Sequence, residues 1–192
     1  MEENRAEIYL AGGCFWGTEH FIKQIHGVID TQVGYANGST SCPTFEDVCR
    51  HGTGHAETVK VVYNKAIAPL EFILDLYFKT IDPASFNRQG NDVGTQYRTG
   101  IYYTEEADLA AIRVSVTALE KRMGTAALIE VLPLENFYPA EQYHQDYLEF
   151  NPGGYCHINP ELFELAKNAK PTPSFMKQDA SALKKALTPL QY

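Results

Sequence analysis

The 192-residue chain lacks any apolar run approaching the ~20 residues of a membrane span, which excludes a spanning helix. Positive charge is in deficit. Lys and Arg number 16 against 24 Asp and Glu, a net charge of −8, and no basic run occurs. That balance argues against nucleic acid and anionic membranes as partners. Cysteine is scarce: four residues are too few for a disulfide scaffold, so the chain reads as cytoplasmic, with cysteines suited to catalysis or metal binding. The opening Met1-Glu2-Glu3-Asn4-Arg5 is acidic where a signal peptide is basic, and the apolar run from Ile8 to Trp16 is interrupted by glycines. Gly52-Thr53-Gly54-His55-Ala56-Glu57 lacks the third glycine of a dinucleotide fingerprint, and there is no lysine-bearing phosphate loop. Repeats and low-complexity segments are also missing. What is present is a globular composition, 44% hydrophobic. At this length about 70% of the unfolded surface is buried on folding, so a core forms without staples.

Periodicity predicts a short buried strand at Ile8–Ala11, a helix from Trp16 to Ile25 closed by Gly27, and a strand from Val28 to Tyr35. Thr44 to Arg50 reads as a short helix. From His55 to Tyr63 the chain alternates, with Glu57, Val59, Val61 and Tyr63 on one face. Pro69 opens a helix to about Lys79. Asp82 to Arg98 shows no period and reads as a functional loop. A strand at Gly100–Tyr103 leads into a helix capped by Thr104, with Glu105 and Glu106 in its first turn and Lys121 and Arg122 in its last. Leu128–Leu132 is the next strand. Pro139 is read as starting a helix to about Phe150, ended by Asn151-Pro152-Gly153-Gly154. A helix at Glu161–Ala169, the linker Lys170-Pro171-Thr172-Pro173 and a marginal helix at Ala180–Leu187 follow. This mixture is α+β or irregular α/β.

Chemistry concentrates at Gly12-Gly13-Cys14-Phe15-Trp16-Gly17, where a cysteine sits between a strand end and a helix start. Unpaired N–H groups at a helix start favour a thiolate, so a lowered Cys14 pKa is expected. Phe15 and Trp16 can wall an apolar pocket. Glu57 falls on the inward face of its strand, where desolvation raises a carboxyl pKa and makes it a proton donor near neutral pH. Each residue also has a structural reading: a core cysteine and a strand-end glutamate. Cys42, Cys49, His51 and His55 lie close together but lack the short Cys-x₂₋₄-Cys hook of usual zinc sites. His144 could pair with Cys14 as in a cysteine hydrolase. Cys156 follows two glycines, on a tether suited to a thiol that travels to another sulfur. Cys42, Cys49 and Cys156 are all candidates to resolve an oxidised Cys14.

Together these segments resemble the A-type peptide-methionine (S)-sulfoxide reductases. The resemblance rests on Gly13-Cys14-Phe15-Trp16-Gly17, Val33-Gly34-Tyr35-Ala36, Gly54-His55-Ala56-Glu57 and the run Asn91-Asp92-Val93-Gly94-Thr95-Gln96-Tyr97-Arg98. Ala140-Glu141-Gln142-Tyr143-His144-Gln145-Asp146-Tyr147 and Gly154-Tyr155-Cys156 extend it, so that it covers about residues 6 to 158 in the family's order. It implies a two-layer α/β sandwich around a mixed sheet, with a ferredoxin-like core and no metal or organic cofactor. It also implies a catalytic domain over residues 1–168, with 169–192 an extension rather than a second domain.

Carried over residue by residue, the resemblance makes Cys14 the nucleophile and Glu57 the proton donor to the sulfoxide oxygen, assisted by the hydroxyls of Tyr35 and Tyr97. Phe15 and Trp16 then hold the S-methyl group, Asp92 supports the site and the substrate backbone, and Cys156 is the resolving cysteine. Some relatives carry a further recycling cysteine; none follows Cys156 here, so one disulfide, Cys14–Cys156, is expected to suffice, with thioredoxin regenerating the dithiol. Methionine sulfoxide, free or in oxidised proteins, is the expected substrate.

Overall fold

In the computed structural model, residues 2–176 are described; the segment 177–192, with the helix expected at Ala180–Leu187, lies outside the described residues. β1 (Arg5–Gly12) is buried over its last five residues. Ile8 and Leu10 enter the main core, while Tyr9 and Ala11 join a smaller cluster on the opposite face. A strand covered on both sides belongs in the middle of a sheet, and β1 pairs antiparallel with a strand on each edge. α1 (Phe15–Lys23) leads to β2 (Val28–Ala36), and Gly27 takes the positive φ that ends the connection. The short α2 (Phe45–Arg50) is closed by a capping box between Thr44 and Asp47. β3 (Ala56–Asn64) follows, then α3 (Leu70–Phe78), which buries seven residues and reaches β1 through the Tyr77 hydroxyl on Ala11 O. The hairpin β4 (Arg88–Gln89) and β5 (Asp92–Val93) stands apart from the main sheet. β6 (Thr99–Tyr103), α4 (Asp108–Met123) and β7 (Glu130–Pro133) form a parallel crossover, and β8 (Phe137–Pro139) is the last strand. α5 (Tyr147–Phe150), α6 (Glu161–Asn168) and α7 (Pro173–Met176) complete the described chain. Phe175 packs edge-on against Phe72, 5.9 Å between ring centres, so this part of the tail lies on the core.

The six-stranded sheet runs β7-β6-β1-β3-β2-β8. Its inner four strands, taken with α1 and α3, have β-α-β-β-α-β connectivity with every neighbour antiparallel, the ferredoxin-like arrangement. β7 makes the sheet mixed. Val59, Val61 and Tyr63 enter the main core from one face of β3, as the alternation predicts.

Three expectations are corrected. Pro139 does not start a helix: residues 137–139 are the edge strand β8, with Gly34 opposite Pro139. An edge position tolerates the missing N–H of proline. The chains approach so closely that a Cβ on Gly34 would lie 2.5 Å from Tyr138 O. Thr104 caps nothing; α4 begins at Asp108 without a side-chain cap, because turns to the carbonyls of Glu105 and Glu106 intervene. The strand expected from Leu128 starts at Glu130, since the Leu128 N–H is engaged by Pro83 O at 2.7 Å.

Candidate active site

β1 delivers the chain to Gly13, whose φ of +87° and lack of a side chain are both required: a Cβ there would sit 2.8 Å from Gln89 Cβ. Cys14 is the N-cap of α1 and is 8% exposed. The expectation of a lowered thiol pKa is wrong. Burial pushes the thiol well above its ordinary value; Glu57 adds to this, the Trp16 N–H opposes it, and Asp92 and Cys156 add further. Desolvation of the nearly buried sulfur outweighs the helix terminus.

Glu57 on β3 is 1% exposed and stands directly across the ladder from Tyr35. Its Oε2 accepts the Phe15 N–H at 3.0 Å, which ties the acid to the first helical residue after Cys14. Burial raises its pKa to about 8; the Phe15 hydrogen bond lowers it and Asp92 raises it. Burial also pushes up the hydroxyl of Tyr35, and Glu141 adds to the shift. The Tyr35 hydroxyl donates to Glu141 Oε1 at 2.9 Å, and Glu141 Oε2 accepts the Phe45 N–H at 3.1 Å. Burial pushes the Glu141 carboxyl up, but the hydrogen bonds it accepts hold it below its ordinary value. It is therefore a second, ionised carboxylate behind Tyr35. Tyr97, in a 3₁₀ turn at Thr95–Tyr97, is half-buried. Burial raises its pKa, followed by the charges of Glu57, Cys49, Asp92 and Cys14, which places its hydroxyl among those groups. Asp92 on β5 accepts the Tyr155 hydroxyl at 3.0 Å.

Phe15 is buried against the ring of Tyr35, 5.8 Å between centres. The half-buried Trp16 donates its indole N–H to His144 Nδ1 at 2.9 Å and stacks on Tyr147 at 3.7 Å and 14°. Cys156 packs on the first turn of α1: a Cβ on Gly17 would be 3.0 Å from its Sγ. Both Cys14 and Cys156 are free thiols. The structure thus gathers Cys14, Glu57, Tyr35, Tyr97, Asp92, Phe15, Trp16 and Cys156 at one end of β1 and β3.

The other readings fare differently. The His144 Nδ1 is occupied by Trp16, so that ring cannot serve Cys14 as a base through that nitrogen. His55 bonds Thr40 and His51 bonds Asp47; among the described residues no group of three His, Cys, Asp or Glu side chains is placed to hold a metal ion. Cys42 is exposed, whereas Cys49 is half-buried close to Gln96 and Tyr97. Sequence reasoning missed the roles of Glu141, Gly17 and Gln89. Gln89 is a buried polar residue whose side chain closes the loop onto the Asp82 backbone at 2.8 and 3.0 Å, and only its place in an aperiodic stretch hinted at this.

The sequence profile of the peptide methionine sulfoxide reductase family matches residues 6–174. The peptide methionine sulfoxide reductase MsrA of Lachnoclostridium phytofermentans is 57% identical over 162 residues, covering 84% of this chain and 98% of that protein. The crystal structure of Mxr1 from Saccharomyces cerevisiae in reduced form superimposes with a TM-score of 0.78 at 36% identity, covering 83% of this chain and 93% of that one. Mxr1 in complex with Trx2 gives a TM-score of 0.55 at 28% identity, covering 77% and 87%. Profile, sequence and fold agree, and the chain belongs to the A-type peptide methionine sulfoxide reductase family.

Proposed function

We propose that this reductase acts on the S epimer of methionine sulfoxide, with Cys14 as nucleophile, Glu57 as proton donor and Cys156 as resolving thiol. The observation that carries the reading is the Glu57–Phe15 hydrogen bond, which fixes a buried, neutral acid beside a buried, neutral thiol. A sulfoxide sulfur is a weak electrophile until its oxygen is protonated. Glu57 lends that oxygen a proton, and the Cys14 thiol proton replaces it as the sulfur attacks. Methionine leaves as the thioether and Cys14 becomes a sulfenic acid, so two electrons pass from Cys14 to the substrate sulfur. Condensation with the Cys156 thiol releases water and forms a disulfide, which a dithiol reductant returns to two thiols.

Phe15 and Trp16 form the wall for the S-methyl group, Tyr97 faces the oxygen, and Asp92 holds the substrate backbone. Tyr35 joins them at the oxygen once its hydroxyl hydrogen leaves Glu141. The complex of Mxr1 with Trx2 supports a thioredoxin as the reductant here. Four cysteines, too few for a disulfide scaffold, favour a cytoplasmic setting; no helix among the described residues is long and apolar enough to cross a membrane. Incubation with each pure epimer of a blocked methionine sulfoxide and dithiothreitol, followed by chromatography, tests this. Thioether from the S epimer alone supports the reading, and equal rates on both epimers overturn it.

A further inference from the structure

We propose that Glu19, a carboxylate that touches none of the reacting atoms, is a positioning residue that sets the orientation of Trp16. This rests on the reading of Trp16 as part of the methyl wall. Trp16, Glu19 and Lys23 follow one another at i, i+3 and i+7, so α1 presents them on one face. All three grip residues 144–149. Trp16 binds His144 through its indole N–H and Tyr147 through its ring face. Glu19 Oε1 accepts the Asp146 N–H at 2.8 Å. Lys23 Nζ reaches Asp146 Oδ1 at 2.5 Å and Glu149 Oε1 at 2.6 Å.

Asp146 lies between the two residues that hold the indole, and its backbone is left-handed, φ +54° and ψ +32°. A non-glycine residue keeps that conformation only where its surroundings hold it. Glu19 is the buried part of that hold. It is 1% exposed, and its second oxygen accepts the Thr31 hydroxyl on β2 at 2.9 Å. Both partners are donors, which suits an acceptor on each oxygen. Burial pushes the carboxyl up, while the Asp146 N–H and the Thr31 hydroxyl pull it back. Burying a carboxylate here is costly, and what it secures is the turn that aligns His144 and Tyr147 on Trp16.

Two substitutions separate positioning from mere stability. Glu19→Met keeps the volume but leaves the Asp146 N–H without an acceptor. In Glu19→Gln the amide oxygen can accept from Asp146 while its NH₂ donates to Thr31, so this variant should rescue. Trp16 is the only tryptophan in the chain, so its fluorescence reports its own surroundings. In folded Glu19→Met, well below its melting temperature, we expect a shifted Trp16 emission. KM for a blocked methionine-(S)-sulfoxide should rise about tenfold, as for other losses of methyl-pocket fit, with kcat nearly unchanged. Glu19→Gln should keep the wild-type emission and KM. If Glu19→Met does not fold, Glu19→Asp, which shortens the reach by one methylene, should show the same changes in smaller degree. Wild-type emission and KM in the folded Met or Asp variant, with only a lower melting temperature, would overturn the proposal. Trp16→Phe tests the underlying reading separately: an unchanged KM there, with the emission shift of Glu19→Met intact, removes the methyl wall and leaves the positioning role standing.

Discussion

The thiol and acid on one side of the site, and the second thiol on the other, are held in opposite ways. Cys14 and Glu57 sit where β1, α1 and β3 meet, on backbone buried from Ile8 to Phe15 and from Ala56 to Val59. Cys156 follows the exposed run Asn151-Pro152-Gly153, and its neighbour Tyr155 is largely exposed. The proton donation and attack proposed for Glu57 and Cys14 need atoms fixed to fractions of an ångström, and the core supplies that. The disulfide closure proposed for Cys156 needs a sulfur that moves, and a tether suits it. Breaking either half should therefore stop a different step.

The largest effect is expected on the rigid half. Cys14→Ser should abolish reduction while leaving the far-UV circular dichroism and the melting temperature close to wild type. Glu57→Gln keeps hydrogen bonding but removes the transferable proton, and the rate in single-turnover assays should fall by roughly 10²–10⁴. Because the Glu57 pKa is raised to about 8, the wild-type rate should decline as pH rises through that value, and the variant should lack this limb. The same shift has a stability consequence. Between the ordinary carboxyl pKa and about 8 the folded state binds a proton that the unfolded state has released, so folding is weakened as pH rises across that window. The melting temperature of Glu57→Gln relative to wild type should climb over this range and then level off.

The tethered half gives smaller and later effects. Cys156→Ser should reduce one equivalent of sulfoxide at the normal rate and then stop, with one dimedone adduct per chain by mass spectrometry. Peptide mapping of the oxidised wild-type protein should yield Cys14 linked to Cys156; a link to Cys42 or Cys49 would dissolve the contrast between the halves. Gly17→Ala places a methyl 3.0 Å from the resting Cys156 sulfur. It should slow disulfide closure severalfold without touching the first step, seen as transient sulfenic acid in rapid quench. Least of all, Tyr155→Phe removes one exposed hydrogen bond to Asp92, contributing about 1 kcal/mol or less, so KM should change no more than about fivefold.

Legibility followed the same division. The alternation of β3 and the glycine-flanked cysteine are local patterns, and the structure places both where those patterns point. The helix expected from Pro139 to about Phe150 exists only over Tyr147–Phe150, because the conformation of the preceding residues is decided by a distant partner. Pro139 looks like a helix start until β2 is in place: Gly34 leaves room for Phe137 and the Tyr138 carbonyl, and the Gln145 side chain continues the ladder by bonding both the N–H and the carbonyl of Val33 at 2.9 Å. Only a weak local signal marks Asp146 as left-handed, since aspartate adopts that turn less readily than glycine, and Glu19 is 127 residues away. The sign of the Cys14 shift failed for a similar reason: the helix terminus is a local feature, whereas the burial that overrides it comes from the whole core.

The central place of β1 bears on when the molecule can open. Tyr9 and Leu10 are hydrogen-bonded into strands on both sides, one end of which leads straight to Cys14. Amides in such a strand exchange with deuterated water only when the whole domain unfolds, whereas those near an exposed tether exchange through small local openings. An isotope-exchange map should therefore show the slowest-exchanging backbone running into Cys14, the proposed nucleophile. The stretch around residues 151–156 should be among the first to label, so that the two sulfurs of one catalytic cycle would stand at opposite ends of the protein's exchange timescale.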